Sequence, residues 1–219
     1  MTKLMDPDIA WPLTVVFMPC ANTLKPDESS LEERAGGKVA VVVGGSQGLG
    51  FELASVLVRE GANVALLSRK KAGLNSAREM LITEHFTSEA QMQFRERSLK
   101  VYECDGCNQA SVDATIDAVL ADFEKIDILI NAAGIGKGFE PSCKSTVEDF
   151  RADFDQHFSG NVAPVLNVTN AVLEKAMIPA GEGQVINVSC KTGRDNVGVQ
   201  ELAVSAASLI ATTFPCARE

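Results

Sequence analysis

Residues 38–50 read KVAVVVGGSQGLG, in which β-branched and small apolar residues lead directly into glycines at positions 44, 48 and 50. Residues 51–60 then have the apolar spacing of an amphipathic helix. Glycine adopts backbone angles that other residues avoid, and it lets the chain approach a pyrophosphate closely. The N-terminus of a helix offers unpaired N–H groups to phosphate oxygens. The pattern therefore predicts a strand, a tight turn and a helix that together bind a dinucleotide.

The composition excludes several classes of protein. The chain has 219 residues, 46% of them hydrophobic, which is enough for one domain with a full core. The 29 acidic and 20 basic residues give a net charge of −9, and no basic tract suggests a nucleic-acid surface. No apolar run approaches the ~20 residues of a membrane span, and the N-terminus does not resemble a signal or transit peptide. We expect a cytoplasmic protein that binds neither nucleic acid nor membrane.

Strands and helices alternate along most of the chain. Apolar patterns predict strands at residues 39–43, 63–68, 99–104, 127–131 and 184–189. Helical spacing predicts a helix that ends near residue 60 and others at 72–86, 111–123, 147–176 (bent at Pro164) and 199–214, with a polar loop at 87–97. Strands separated by helices indicate right-handed crossovers and a parallel sheet covered on both faces. The predicted fold is α/β, a doubly wound Rossmann sheet with strand order 3-2-1-4-5.

The first 37 residues are rich in proline and charge, and they end in Ala35-Gly-Gly37. We interpret residues 1–37 as an N-terminal extension and residues 38–219 as a dinucleotide-binding Rossmann domain that is incomplete at its C-terminus. Within the extension, residues 13–18 read LTVVFM, which is typical of a strand. We expect this segment to form an extra edge strand or a docking arm.

Four further motifs follow the glycine-rich stretch, three of them at the ends of predicted strands and one in the long helix. They are Asp105 after the third strand, Asn131-Ala-Ala-Gly134 after the fourth, Asn161 in the long helix and Ile186-Asn-Val-Ser-Cys190 at the end of the fifth strand. Together with residues 44–50, they resemble the short-chain dehydrogenase/reductase family, and the resemblance covers residues 38 to 193. It implies a nicotinamide cofactor and hydride transfer between that cofactor and a small carbonyl or alcohol.

The resemblance also implies site residues. Asn161 and Cys190 stand at active-site positions, Cys190 where the family keeps a serine. Thirteen residues are expected to bind the cofactor, of which Ser68 and Arg69 are taken from the end of the second strand and the others are implied by the resemblance. They are Gly44, Ser46, Gln47, Gly48, Leu49, Gly50, Ser68, Arg69, Asp105, Asn131, Ala132, Ala133 and Gly134.

The end of the second strand indicates which cofactor is bound. A protein that prefers NAD places an acidic residue there to accept hydrogen bonds from the ribose hydroxyls. This chain has Ser68-Arg69-Lys70-Lys71 instead. A guanidinium with nearby ammonium groups suits a 2′-phosphate in charge and geometry, so the prediction is NADP(H). For the two lysines, a solvated basic start of the next helix is the alternative.

The proton relay of the family is incomplete in this sequence. The family uses a tyrosine and a lysine four residues later, yet residues 202–209 read LAVSAASL. The one tyrosine of the chain is Tyr102, on the third strand, and no lysine follows Lys191. Ser189 precedes Cys190 but is expected to face the opposite side of the strand. Three hypotheses stay open: an oxidoreductase with a degenerate relay, a catalytically inactive scaffold or partner subunit, and a pocket repurposed for cyclisation or isomerisation.

The family also has two strands after the fifth, for which this sequence has no counterpart. The fifth strand would then be an exposed edge. The sequence leaves open a truncated or mis-spliced product, a fragment, or a diverged protein whose edge is covered by a partner or by residues 10–18. Since family members form oligomers through their long helices, a homo-oligomer or a pairing with a paralogue is implied.

Cysteines and histidines suggest few other sites. Cys104-Asp-Gly-Cys107 has the spacing of a redox motif, although a second such pair, needed for a closed zinc site, is missing. The two histidines, His85 and His157, have no matching carboxylate pattern, so no metal site is predicted. We expect His157 on the surface of the long helix, with a replacement acid in the pocket as the alternative.

Overall fold

A six-stranded sheet forms the centre of the molecule. The structure is a computed structural model that describes residues 13–19, 35–85, 97–134, 146–190 and 208. The strands are β1 (Leu13–Pro19), β2 (Val39–Val43), β3 (Asn63–Ser68), β4 (Leu99–Glu103), β5 (Ile128–Asn131) and β6 (Gln184–Cys190). Their order across the sheet is β1-β6-β5-β2-β3-β4, and β2 to β6 are mutually parallel. The predicted order 3-2-1-4-5 is therefore confirmed for the five parallel strands.

Helices cover both faces of the sheet. They are α1 (Gly48–Arg59), α2 (Lys71–His85), α3 (Gln109–Phe123), α4 (Val147–Asn161), α5 (Ala163–Val172), a π-helical segment (Leu173–Met177) and the short α6 (Ile178–Ala180). The helix expected over residues 147–176 is thus divided at Val162. Pro164 lies in the first turn of α5, the one place in a helix where a missing N–H costs no hydrogen bond. The helix predicted at 199–214 and the loop at 87–97 lie outside the described residues, apart from Ser208 and Arg97.

The core has two halves, one on each face of the sheet. Val41 and Val43 of β2 pack in the half that α3 and α5 cover, whereas Val42 packs in the half under α1 and α2. All five residues of β2 are buried, as expected for a central parallel strand covered on both sides. This burial holds the carboxyl end of β2, where the glycine-rich turn begins, in one position.

Strand β1 lies antiparallel to β6 along its whole length. The register runs from Leu13 opposite Cys190 to Pro19 opposite Gln184. The expectation of an extra edge strand is confirmed, because residues 13–19 cover the hydrogen-bonding edge of β6. A parallel edge strand of apolar residues would otherwise present unpaired N–H and C=O groups.

We expect the double substitution Val15→Pro/Val16→Pro to release β1. Neighbouring residues of an antiparallel edge strand direct their N–H groups alternately toward and away from the partner, so one of the two prolines removes a donor to β6. A thermal melt should show Tm lowered by about 5 °C or more, and light scattering should show aggregation. Val15→Thr/Val16→Thr, which keeps both N–H groups and the β-branching, is the control. An unchanged Tm in the proline variant would contradict the pairing.

Candidate cofactor site

One cavity lies at the carboxyl ends of the parallel strands, where doubly wound sheets bind their ligands. Its volume is about 340 Å³. It is lined by Val43, Gly44, Ser46, Gln47, Gly48, Leu49, Ser68, Arg69, Cys104, Asp105, Gly106, Cys107, Ala132, Ala133, Gly134, Gly160 and Pro164. Eleven of the thirteen residues that the sequence suggested for cofactor binding are among them, and the other two, Gly50 and Asn131, are buried and do not line it.

The glycine-rich turn is too tight for side chains at two positions. Gly44 has a φ of +81°, and a Cβ there would lie 2.8 Å from the backbone of Ala133. A Cβ on Gly50 would overlap the carbonyl group of Gly44. The N–H of Gly44 donates to the carbonyl of Leu67 at 2.8 Å, which ties the turn to β3. The two glycines consequently allow the backbone of the turn to approach β3 and residues 132–133 closely.

Helix α1 begins beside this floor, at Gly48. Its N-cap residue, Gln47, makes no side-chain hydrogen bond to the first turn. The first N–H groups of a helix have no partner within the helix, and they carry partial positive charge. The turn and the helix N-terminus together form a cradle that fits a pyrophosphate.

The end of β3 forms a second wall of the cavity. The hydroxyl groups of Ser46 and Ser68 lie 3.3 Å apart, within hydrogen-bond distance. Arg69 follows Ser68, is exposed and makes no ion pair with any residue in the described part of the chain. Its charge acts on the cavity, because it opposes the rise in the pKa of the Cys107 thiol. A guanidinium without a carboxylate partner is thus available to an anion.

The loop 104–108 forms the third wall and contains both cysteines of the Cys104-Asp-Gly-Cys107 segment, which has the spacing of a redox motif. Cys104 is buried, Cys107 is exposed, and both are free thiols. Burial raises the pKa of Cys104, and partial desolvation together with the Asp105 carboxylate raises the pKa of Cys107. Redox-active cysteines have lowered pKa values, so this environment does not favour thiol–disulfide chemistry.

We therefore expect Cys107 to be a slow nucleophile. A raised pKa leaves less thiolate at pH 7 than in a free cysteine, and the thiolate fraction should keep increasing above the usual thiol pKa of about 8.5. The measurement is the rate at which iodoacetamide labels the Cys107 peptide between pH 7 and 10, followed by mass spectrometry, with N-acetylcysteine as reference. Faster labelling than the reference at pH 7 would disprove this assignment.

Asn131 lies beneath the site rather than in it. It is 1% exposed, and its Nδ2 donates to Thr169 Oγ1 at 3.0 Å and to Asn187 Oδ1 at 2.8 Å. These bonds connect β5 to α5 and to β6. Its Oδ1 has no hydrogen-bond partner within the described residues. Asn131 thereby holds the start of Ala132-Ala-Gly134, which does line the cavity.

Of the two residues suggested for catalysis, Asn161 lies beside the cavity. It is the last residue of α4 and 6% exposed, and its Oδ1 is 3.4 Å from the position of a Cβ on Gly134. Cys190 is the last residue of β6, opposite Leu13, and its side chain lies outside the described part. Gly134 lines the cavity, so Asn161 lies directly behind this wall.

The expectation for His157 was wrong. His157 is 5% exposed, because α4 turns the face that carries both His157 and Asn161 toward the protein interior. Residues four apart share a helix face, so the burial of Asn161 implies that of His157. Helical spacing was visible in the sequence, but it did not reveal which face of α4 packs inward.

Six lining residues were not among those that the sequence suggested for cofactor binding or catalysis: Val43, Cys104, Gly106, Cys107, Gly160 and Pro164. Four of them are direct neighbours of residues that were suggested. Cys107 and Pro164 are not, and they reach the cavity because the loop 104–108 packs against α5. A sequence signal for this packing is the small residue Gly106, since a Cβ there would lie 2.7 Å from Pro164 Cβ.

The single tyrosine of the chain is held away from the cavity. The hydroxyl group of Tyr102 donates to Asp122 Oδ2 at 2.6 Å, on the outer edge strand β4. Burial and the neighbouring Asp122 carboxylate raise its pKa. A tyrosine in this environment cannot serve as a proton donor at the site.

Comparison with known proteins identifies the family. Residues 38–213 match the short chain dehydrogenase family, and the chain belongs to it. Gluconate 5-dehydrogenase of Gluconobacter oxydans is 36% identical over 166 residues, which are 74% of this chain and 56% of that protein. D-threitol dehydrogenase of Mycolicibacterium smegmatis is 30% identical over 156 residues, 71% of this chain and 54% of that protein. This chain thus spans little more than half the length of these relatives.

Solved structures agree with this family and with the Rossmann fold. An NAD⁺-bound xylitol dehydrogenase superposes with a TM-score of 0.68 at 28% identity, over 82% of this chain and 63% of that one. Levodione reductase superposes with a TM-score of 0.70 at 26% identity, over 82% and 64% of the two chains. Members of the family use a nicotinamide cofactor, NAD or NADP.

The described residues contain neither a candidate membrane span nor a candidate metal site. No helix among them is both long and apolar enough to cross a membrane. No group of three or more His, Cys, Asp and Glu side chains in that part of the chain is placed to hold a metal ion.

Proposed function

We propose that this chain binds NADP(H) and is an oxidoreductase of the short-chain dehydrogenase/reductase family with a degenerate proton relay. The proposal rests on the position of Arg69. Its guanidinium is exposed and has no ion-pair partner among the described residues, and Arg69 lies on the wall of the same cavity as the glycine-rich turn. No acidic residue occupies the end of β3, where a protein that prefers NAD would have one.

Each part of the cofactor has suitable residues along the cavity. The backbone of residues 44–50 and the N-terminus of α1 would hold the pyrophosphate. Ser46, Ser68 and Arg69 would hold the 2′-phosphate through charge-assisted hydrogen bonds. Asp105 would accept from the adenine amino group, and residues 132–134 would border the nicotinamide half. The tightness of the turn supports this fit, because a Cβ at Gly44 or Gly50 would meet backbone atoms and keep the turn from closing.

When bound, the nicotinamide supplies or accepts a hydride at the carbon of a small carbonyl or alcohol. The groups of this chain that would assist are Asn161 and Cys190. A thiol is a weaker hydrogen-bond donor than the family's serine hydroxyl, and neither the tyrosine nor the lysine of the relay is present. General acid–base catalysis contributes roughly 10²–10⁴ in rate, so turnover should be lower by about that factor than in relatives that keep the relay.

Calorimetric titration with NADPH and with NADH tests the binding proposal. We expect a micromolar Kd for NADPH that is at least about tenfold lower than that for NADH, since a charge-assisted contact to the 2′-phosphate is present in one complex only. If a folded, monodisperse preparation binds neither cofactor, the proposal is wrong.

A non-catalytic partner subunit is the second candidate function. It is favoured by the position of Tyr102, which Asp122 holds on the outer edge of the sheet. In this case the chain would keep the cofactor site and pair with a second copy or with an active paralogue. NADPH consumption at 340 nm over a panel of carbonyl compounds separates the two functions. Turnover that decreases in Asn161→Ala and Cys190→Ala indicates the oxidoreductase, and NADPH binding without any turnover indicates the partner subunit.

A further inference from the structure

The loop that carries Asp105 is a rigid turn. The carbonyl of Asp105 accepts from Asn108 N at 2.9 Å, and its Oδ1 accepts from Cys107 N at 3.1 Å. The N–H of Asp105 donates to Ser111 Oγ at 3.1 Å, in the first turn of α3. These bonds fix the direction of the carboxylate relative to its own loop. At its start the loop is also tied to β3, because Cys104 N donates to the carbonyl of Ser68 at 3.0 Å. Its distance from α5 depends on further contacts.

Gly106 attaches this turn to helix α5. A Cβ at Gly106 would lie 2.7 Å from Pro164 Cβ and 3.2 Å from Pro164 Cα, so the two backbones are in close contact. Above this contact, Asn167 Nδ2 donates to the carbonyl of Gly106 at 2.9 Å. Asn167 lies one helical turn after Pro164, and the two therefore share a face of α5. Steric contact limits how near the loop comes to α5, and the hydrogen bond prevents it from moving away.

A third contact comes from α4. The Cys107 thiol donates to the carbonyl of Ser159 at 3.4 Å. A thiol is a weak donor, and Cys107 is exposed, so this contact holds the loop less firmly than the amide of Asn167. Among the side-chain contacts of the loop with α4 and α5, the bond from Asn167 is accordingly the main restraint.

We infer that Asn167 is a positioning residue for cofactor binding: through Gly106 it holds the Asp105 carboxylate where it accepts from the adenine amino group. The inference deepens the proposed function and rests on it, since it requires an NADP(H) adenine beside Asp105. Asn167 does not line the cavity and would not touch the cofactor. Asn167 therefore affects only the hydrogen bond between Asp105 and the adenine amino group.

The test compares NADPH with reduced nicotinamide hypoxanthine dinucleotide phosphate, in which a carbonyl replaces the adenine amino group. The unaltered protein should bind the hypoxanthine analogue about tenfold more weakly, because Asp105 loses a charge-assisted hydrogen bond and faces an acceptor. In Asn167→Asp, an oxygen replaces the donor against Gly106 O, and the ratio of the two Kd values should decrease to less than about threefold. Asp105→Ala should abolish the discrimination.

Asn170→Asp is the matched control, because Asn170 is exposed on the same helix and its change adds the same charge. It should keep the tenfold ratio. Asn167→Ala, which removes the donor without adding charge, serves if Asn167→Asp does not fold. A ratio unchanged in a folded Asn167 variant, or no discrimination in the unaltered protein, would overturn the inference. Failure of the unaltered protein to bind NADPH at all would instead refute the proposed function.

Discussion

Arg69→Ala is expected to raise the Kd of NADPH by about 10- to 100-fold and to leave the Kd of NADH within about twofold. Hydrogen bonds to charged groups contribute roughly 1.5–3 kcal/mol, which corresponds to this range. Arg69 is exposed, lines the cavity and has no competing carboxylate among the described residues, so its guanidinium is free to make a bidentate contact with a 2′-phosphate. Calorimetric titration of the purified variant with both cofactors measures the effect.

Lys70→Ala provides the control for this prediction. Lys70 is the next residue, it is also exposed, and it does not line the cavity. Loss of its charge should change the Kd of NADPH by no more than about threefold, because solvent and salt screen the interaction of an exposed charge with the bound cofactor. Equal losses in the two variants would mean that the basic segment attracts anions generally and that Arg69 makes no specific contact.

Gly50→Ala is expected to lower the free energy of unfolding by about 3 kcal/mol and to abolish NADPH binding. Adding a methyl group to a packed site costs 1–3 kcal/mol where neighbours can move, and here the neighbour is the backbone carbonyl of Gly44. Gly44 cannot retreat freely, because it packs against Ala133 and its N–H is bonded to Leu67. The turn must therefore open, and the pyrophosphate cradle is lost with it. Urea unfolding and calorimetry measure the two effects.

Gly48→Ala separates steric overlap from backbone strain. Gly48 has a φ of +57° but no atom within 4 Å of a Cβ position, so alanine there brings strain of about 1–2 kcal/mol without a clash. We expect Gly48→Ala to be destabilised less than Gly50→Ala and to keep measurable NADPH affinity. If Gly50→Ala is as stable as the unaltered protein and still binds NADPH, the close approach of residues 44 and 50 does not exist in solution.

The parallel part of the sheet could be predicted because its signals are local. The five parallel strands are short apolar runs separated by amphipathic helices, and right-handed crossovers leave few topologies for such an alternation. The break at Val162 was harder to predict. A proline bends a helix or starts a new one, and the choice depends on what α4 and α5 pack against. The burial of His157 could not be predicted for the same reason, because it depends on the orientation of α4.

The candidate site shows a similar division. Residues 44–50 act through their own backbone, so the turn is readable from glycine positions alone. Cys107 and Pro164 line the cavity only because Gly106 packs on α5, a contact between residues 58 positions apart in the chain. Asn167 had no signal of its own in the sequence, since a single asparagine in a helix is usually a solvated side chain.

The sequence by itself determined the alternation of strands and helices, the glycine-rich turn, the basic residues after β3 and the lack of tyrosine and lysine in residues 202–209, because each depends on residue type and short spacing. Only the tertiary structure decided the pairing of β1 with β6, the face of α4 that turns inward and the attachment of the Asp105 loop to α5. Those features depend on contacts between distant segments, whose energies are set by shape and distance rather than by local pattern.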